Sequence, residues 1–233
     1  EPGLLTRDLV VLLTDGEEIG EVGARYEKAL HPETFEDAAV ILNLEGMGPS
    51  GTPALFETST GNAGPADAYI KGAGRPMAFS LTTGIYRLTP IGTDLTAFVE
   101  DGFVGMNFAA VGGVETYHEP VDHVDYVDVP VLQGYTDQAS SLIRSLLDMP
   151  DDDLRAMKSP RDLVFFTVAP GVVVHYSTPV AWGLALLAAV GLITLTRRAQ
   201  RAGRARPTAV VRGVGWLLLP VVVVGALLVA VAA

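Results

Sequence analysis

The chain has 233 residues, 49% of them hydrophobic, no cysteine and a net charge of −11. All 27 acidic residues lie at or before Asp162 with 10 of the 16 basic ones, so residues 1–177 carry −17, whereas the remainder holds six arginines and no acid. The lack of cysteine excludes a thiol nucleophile, a disulfide framework and thiolate metal sites, and so acidic a segment excludes a nucleic-acid partner, which needs clustered Lys and Arg. A chain polarised in this way has two parts that work in different surroundings.

In chain order, the β-branched and leucine run of residues 8–14 predicts a buried strand that drives into Asp15-Gly16 and the adjacent pair Glu17-Glu18. Residues 19–31 read as a helix with Val22, Tyr26 and Leu30 on one face. A second apolar strand follows over 38–44 and ends at Glu45 and glycines. Strand, helix and strand in this order predict a βαβ unit with a parallel pair.

Further strands are expected at 53–59 and 104–111, short helices at 64–74 and 93–102, and a long amphipathic helix within 127–149. The fold class is α/β: a mixed, largely parallel sheet flanked by helices.

The tail has a different solvent. Residues 178–196 and 213–233 are uncharged runs of nineteen and twenty-one residues, each long enough to span a hydrocarbon core of about 30 Å as a helix. Trp182 and Trp216 stand near their ends, as interfacial anchors do. Between the runs, residues 197–212 hold all six tail arginines. The positive-inside rule puts that loop in the cytoplasm and the acidic domain on the opposite side. The expectation is an integral, multi-pass protein in contact with membrane lipid, with more spans to follow.

In an α/β sheet, ligand sites form beyond the carboxyl ends of the strands. Glu17 and Glu18 follow one expected strand, Glu45 ends the next, and His118 lies shortly after the strand at 104–111. Most Glu-Glu pairs are solvated surface and a lone loop histidine is common. Four ligand-competent residues at one sheet edge are harder to explain that way. Hydrolytic zinc takes imidazole and carboxylate ligands, and a carboxylate off the metal moves the proton of the attacking water. Two successive glutamates can supply both roles. His31 and His123 read as exposed, and His175 as juxtamembrane.

The blocks "RDLVVLLTDGEEIGEVGARY", "ILNLEGMGPSGTPALFET", "TDLTAF" and "VETYHEPVDHVDYVD", in this order over about residues 4–150, resemble the co-catalytic zinc aminopeptidases. The closest likeness is to their multi-span membrane branch, which includes vacuolar and endoplasmic reticulum enzymes. The strand-like "RDLVFFTV" before the first span is also similar to that branch. The resemblance implies a membrane-anchored exopeptidase with two zinc ions and a peptide substrate. Glu17 would be the general base, Glu18 and His118 would share one zinc, Glu45 would bind the other, and Asp94 would stand behind the ligands.

One departure matters. The family pattern begins with a His-x-Asp and then a bridging Asp, and neither precedes Glu17 here, since His123-Val124-Asp125 falls in the wrong order. The expectation is therefore residues 1–150 as the C-terminal portion of a zinc peptidase domain, inactive alone, then a connector over 151–177, a span over 178–196, the arginine loop and a span over 213–233. Two other readings stay open: a non-catalytic membrane relative of the fold, and a glutaminyl cyclase-like acyltransferase, which shares the fold but uses one zinc.

Overall fold

The computed structural model describes residues 7–89, 91–204, 206, 208–210, 212–216 and 219–220. By contact the chain divides into two units, Glu1–Arg87 with Ile91–Ser177, and Leu88–Pro90 with Thr178–Ala233.

The first unit is built on a three-stranded sheet of β1 (Ile41–Glu45), β2 (Ala54–Thr58) and β3 (Gly105–Ala109), in the order β1-β3-β2. β1 runs parallel to β3 with Asn43 opposite Asn107, and β2 runs antiparallel to β3. The sheet is mixed as expected, with one parallel and one antiparallel pairing. β3 is central and every residue of it is buried. This is why its sequence does not alternate apolar with polar, Asn107 being its one polar residue.

Helices α1 (Val22–Leu30), α2 (Ala63–Gly72), α3 (Ser80–Tyr86), α4 (Thr96–Val99), α5 (Val129–Leu147) and α6 (Asp151–Arg155) surround the sheet. α5 buries Val131, Gln138, Leu142 and Leu146, a 7-4-4 spacing that keeps one stripe inward. Tyr69 of α2 is fully buried against Phe108, their ring centroids 5.1 Å apart. Its hydroxyl donates to Gln138 Oε1 and accepts the Met77 N–H, so the polar atoms inside this core are satisfied.

One expectation fails. Residues 8–14 form no strand: they pair with no other strand among the described residues, and Leu13 is 92% and Val11 75% exposed. A strand exists only through its ladder partners, and β1, β2 and β3 pair with one another instead. The βαβ unit expected to start there is absent, and the parallel pair is β1 with β3. In α1, Val22, Tyr26 and Leu30 do share a face, but it is exposed. The helix packs through Ala24, which joins Phe35, Ala97 and Phe98 in a small second core.

Residues 151–177, expected as a connector, carry α6 and a hairpin of β4 (Leu163–Ala169) and β5 (Val172–Ser177). Phe165 of β4 has no exposed surface and belongs to the main core with Leu55, Tyr69 and Phe108. Truncating such a ring costs about 3–5 kcal/mol.

The second unit contains α7 (Thr178–Arg201), 24 residues and thus about 36 Å long. It is the one helix among the described residues long and apolar enough to cross a membrane, and none of its apolar window is buried. The second expected span, 213–233, lies largely outside the described residues.

Candidate functional site

Gly16 and Gly23 make the turn that carries the glutamate pair. Gly16 adopts φ 71°, a left-handed conformation that glycine reaches without steric cost. A Cβ on Gly23 would lie 2.3 Å from the Asp15 carbonyl oxygen and 2.7 Å from its nitrogen, whereas glycine there lets its own N–H donate to Asp15 O at 2.9 Å. The chain folded back in this way sets Glu17–Ile19 into a single 3-10 turn, with Glu17 half-buried and Glu18 exposed.

His118 arrives from the loop after β3. Its Nε2 lies 2.7 Å from Glu18 Oε2, across a hundred residues of sequence, and its ring stacks on Tyr117 at 3.8 Å between centroids. His118 holds φ 62°, and Glu21 is the other described non-glycine residue in that region. A left-handed conformation costs about 1–3 kcal/mol, whereas a pair this exposed contributes about 0–1 kcal/mol. Stability of the pair therefore does not account for the strained loop.

Glu45 ends β1 half-buried. Its carboxylate accepts from Asn43 Nδ2 at 3.3 Å and from the Gly46 N–H at 3.2 Å, and its carbonyl accepts the Tyr135 hydroxyl at 2.6 Å. Burial, opposed by those two donors, pushes its carboxyl above the ordinary value. Asp94 takes a hydrogen bond from Thr14 on Oδ2, while its buried Oδ1 has no partner among the described residues. Burial first, and then the charges of Glu45, Glu18, Asp94 and Glu21, raise Glu17 to about 7. Tyr117 is pushed up to about 12 by burial and by Glu18 and Glu17.

Four carboxylates, Glu17, Glu18, Glu45 and Asp94, thus act on one region with His118 at its edge, while Glu21 is neutralised by Arg25 at 2.9 Å, a charge balance that favours a cation. The donor set has the chemistry of a zinc site. Two ligands at about 2.0–2.1 Å on a tetrahedral ion stand roughly 3.3 Å apart, so the Glu18–His118 pair needs an opening of about half an ångström to share one ion. Among the described residues no three His, Asp or Glu side chains already stand close enough to hold a metal. Glu18 and His118 fit as two donors to one ion, and Glu45 and Asp94 line the same region without joining them.

Sequence reasoning missed the groups that support these residues: Thr14 on Asp94, Tyr117 under His118, Tyr135 at the end of β1, and Asn43. The last was legible. Two residues before Glu45 on a strand is the same face, and a lone amide in "ILNLE" breaks an apolar run. His31 and His123 are exposed, as expected, beside Glu33 and Asp125.

Peptidase family M28 matches residues 1–143. A vacuolar membrane protease of Schizosaccharomyces pombe is 26% identical over 164 residues, 69% of this chain and 19% of that protein. A Caenorhabditis elegans protein named "Putative endoplasmic reticulum metallopeptidase 1-A" is 26% identical over 180 residues, 76% of this chain and 20% of the relative. A vacuolar membrane protease of Candida glabrata is 28% identical over 163 residues, 69% of this chain and 16% of its own length. The chain therefore spans about a fifth of these curated relatives. No solved structure matches it.

Proposed function

The chain belongs to peptidase family M28, and from that premise we propose that it is part of a membrane-anchored zinc aminopeptidase, which removes N-terminal residues from peptides on the non-cytoplasmic side of its membrane. The observation that carries this reading is the approach of His118 to Glu18, 2.7 Å apart, with Glu17 in the same turn.

Glu18 and His118 would hold one zinc ion, and Glu45 a second in the intact protein. A bound zinc supplies Lewis acidity, lowering the pKa of water to about 7 and polarising a carbonyl. Glu17 takes the proton of the attacking water and returns it to the leaving amine. A carboxyl raised to about 7 by burial and neighbouring carboxylates is matched to holding and releasing a proton near neutrality. Asp94, oriented by Thr14, stands behind the ligands.

α7 anchors the domain in lipid, and the arginines of residues 197–212 keep that loop cytoplasmic. Attachment to a membrane is supported by the relatives named vacuolar membrane protease.

The test is hydrolysis of aminoacyl anilides by the intact protein purified from membranes. Release should be abolished by a zinc chelator, restored by zinc, and absent when the substrate amine is acetylated. Lack of chelator-sensitive hydrolysis in the wild-type protein would place the chain among non-catalytic relatives.

A further inference from the structure

A buried polar row crosses the sheet behind the site. Asn107, at the centre of β3, is fully buried, and it sits in register with Asn43 on β1 and Glu57 on β2. Its Nδ2 donates to Glu57 Oε2 at 2.9 Å and to Thr93 Oγ1 at 2.8 Å, which turns its Oδ1 toward Asn43. Asn43 Nδ2 donates to that Oδ1 at 3.0 Å and to Glu45 Oε2 at 3.3 Å. Carboxylates at both ends thus set the direction of every amide between them.

The backbone is shaped to make this row. Leu55 is opposite Phe108 and Glu57 opposite Asn107, so Phe56 is the extra residue of a bulge in β2. Without it, Phe56 rather than Glu57 would face Asn107. Thr93, the row's side branch, is the neighbour of Asp94 in sequence and is itself buried. Through two short paths the row reaches Glu45 and the loop that carries Asp94.

Polar side chains in a sheet interior are costly to bury, and a well-packed apolar set of similar volume is often as stable or more so. The row spans all three strands and ends on a carboxylate of the site.

We propose that Asn43 is a positioning residue, locked by Asn107 and Glu57, that fixes the orientation of the Glu45 carboxylate for metal binding. The inference rests on the reading of Glu45 as a ligand. Outer partners of metal ligands typically govern affinity by about 10- to 100-fold. The row places that control on the far strand of the sheet, at the buried Glu57.

The experiment is zinc affinity of the intact protein purified from membranes, measured by chelator competition, for Asn43→Ala, Glu57→Gln, Glu45→Ala and the double variant Asn43→Ala/Glu45→Ala. Thermal unfolding of the same proteins without metal is followed in parallel. Asn43→Ala should weaken zinc binding at least about tenfold. Glu57→Gln, nearly identical in shape, should weaken it less but in the same direction, with no loss of metal-free stability. With Glu45 already removed, Asn43→Ala should cost nothing more, because the two act through one contact. A lower metal-free unfolding temperature with zinc affinity retained would make the row merely structural, and an equal loss of affinity without Glu45 would overturn the positioning role. If Glu45→Ala alone binds zinc as tightly as wild type, the ligand assignment fails instead, and the two failures are distinguishable.

Discussion

Tyr135 joins the ends of the two parallel strands at the edge where the site lies. Its hydroxyl accepts the Ala110 N–H at 2.7 Å and donates to the Glu45 carbonyl at 2.6 Å. Tyr135→Phe removes one oxygen and leaves the ring packed, so the cost is that of two orphaned backbone groups. Ala110 is fully buried, and an unsatisfied buried amide costs about 1–3 kcal/mol. The Glu45 carbonyl lies nearer solvent and recovers part of its loss from water. A total of about 2 kcal/mol follows, which for a unit of this size lowers the unfolding temperature by about 4–8 °C. Both tryptophans, Trp182 and Trp216, lie in the C-terminal segment, so indole fluorescence does not report on this domain. Calorimetry together with hydrogen exchange at the Ala110 amide does. An unfolding temperature within about 1 °C of wild type, with the Ala110 amide still protected, would refute the reasoning by showing that the hydroxyl is replaceable.

Glu17→Gln should leave the zinc content of the intact protein near wild type while activity falls by about 10²–10⁴, the range of general-base loss. Metal analysis showing zinc lost with Glu17→Gln but kept with Glu18→Gln would reverse the two roles. Gly23→Ala drives a methyl into the Asp15 backbone and should displace the Glu17–Glu18 turn. It should cut activity more than it lowers the unfolding temperature, and equal losses would count against a local effect. Glu57 is buried and its carboxyl is raised from 4.5 chiefly by that burial. The fold therefore binds the proton more tightly than the unfolded chain does, and stability falls as pH rises from about 4.5 through the raised value. Glu57→Gln should flatten that slope in metal-free protein, as measured by denaturant titration at several pH values. For topology, cysteine at Ser140 should react with an impermeant thiol reagent from the non-cytoplasmic side and cysteine at Ala202 should not; labelling of Ala202→Cys alone would invert the orientation.

The sequence pattern and the structure agree wherever burial is two-sided and local. β3, α2 and α5 lie where their patterns place them, because a mostly apolar run or a 3.6-residue stripe encodes which surface must leave water. Residues 8–14 are as apolar as a buried strand and form none, since composition encodes the wish to be buried but not the neighbour that makes a ladder. Val22, Tyr26 and Leu30 do share a helical face, and that face is exposed. Their spacing is helical, but the contact that holds α1 is Ala24, whose small side chain allows close approach to Ala97 and Phe98.

The site divides along the same line. Glu45 stands out in the sequence because it ends β1, where a side chain must leave the sheet, whereas Glu17 and Glu18 follow an apolar run that forms no strand and are set by the turn at Gly16 and Gly23. His118 carried no such local signal. Its place depends on a left-handed residue and on a loop that returns across a hundred residues to meet Glu18 at 2.7 Å. The supporting groups were hidden more deeply, for Glu57 reaches Asn107 only because β2 carries a bulge at Phe56. A bulge is a property of the pairing between two strands and is written in neither alone. A donor such as Glu45 thus follows from a strand end. Residues that orient the donors follow from register, and register exists only once the strands have found one another.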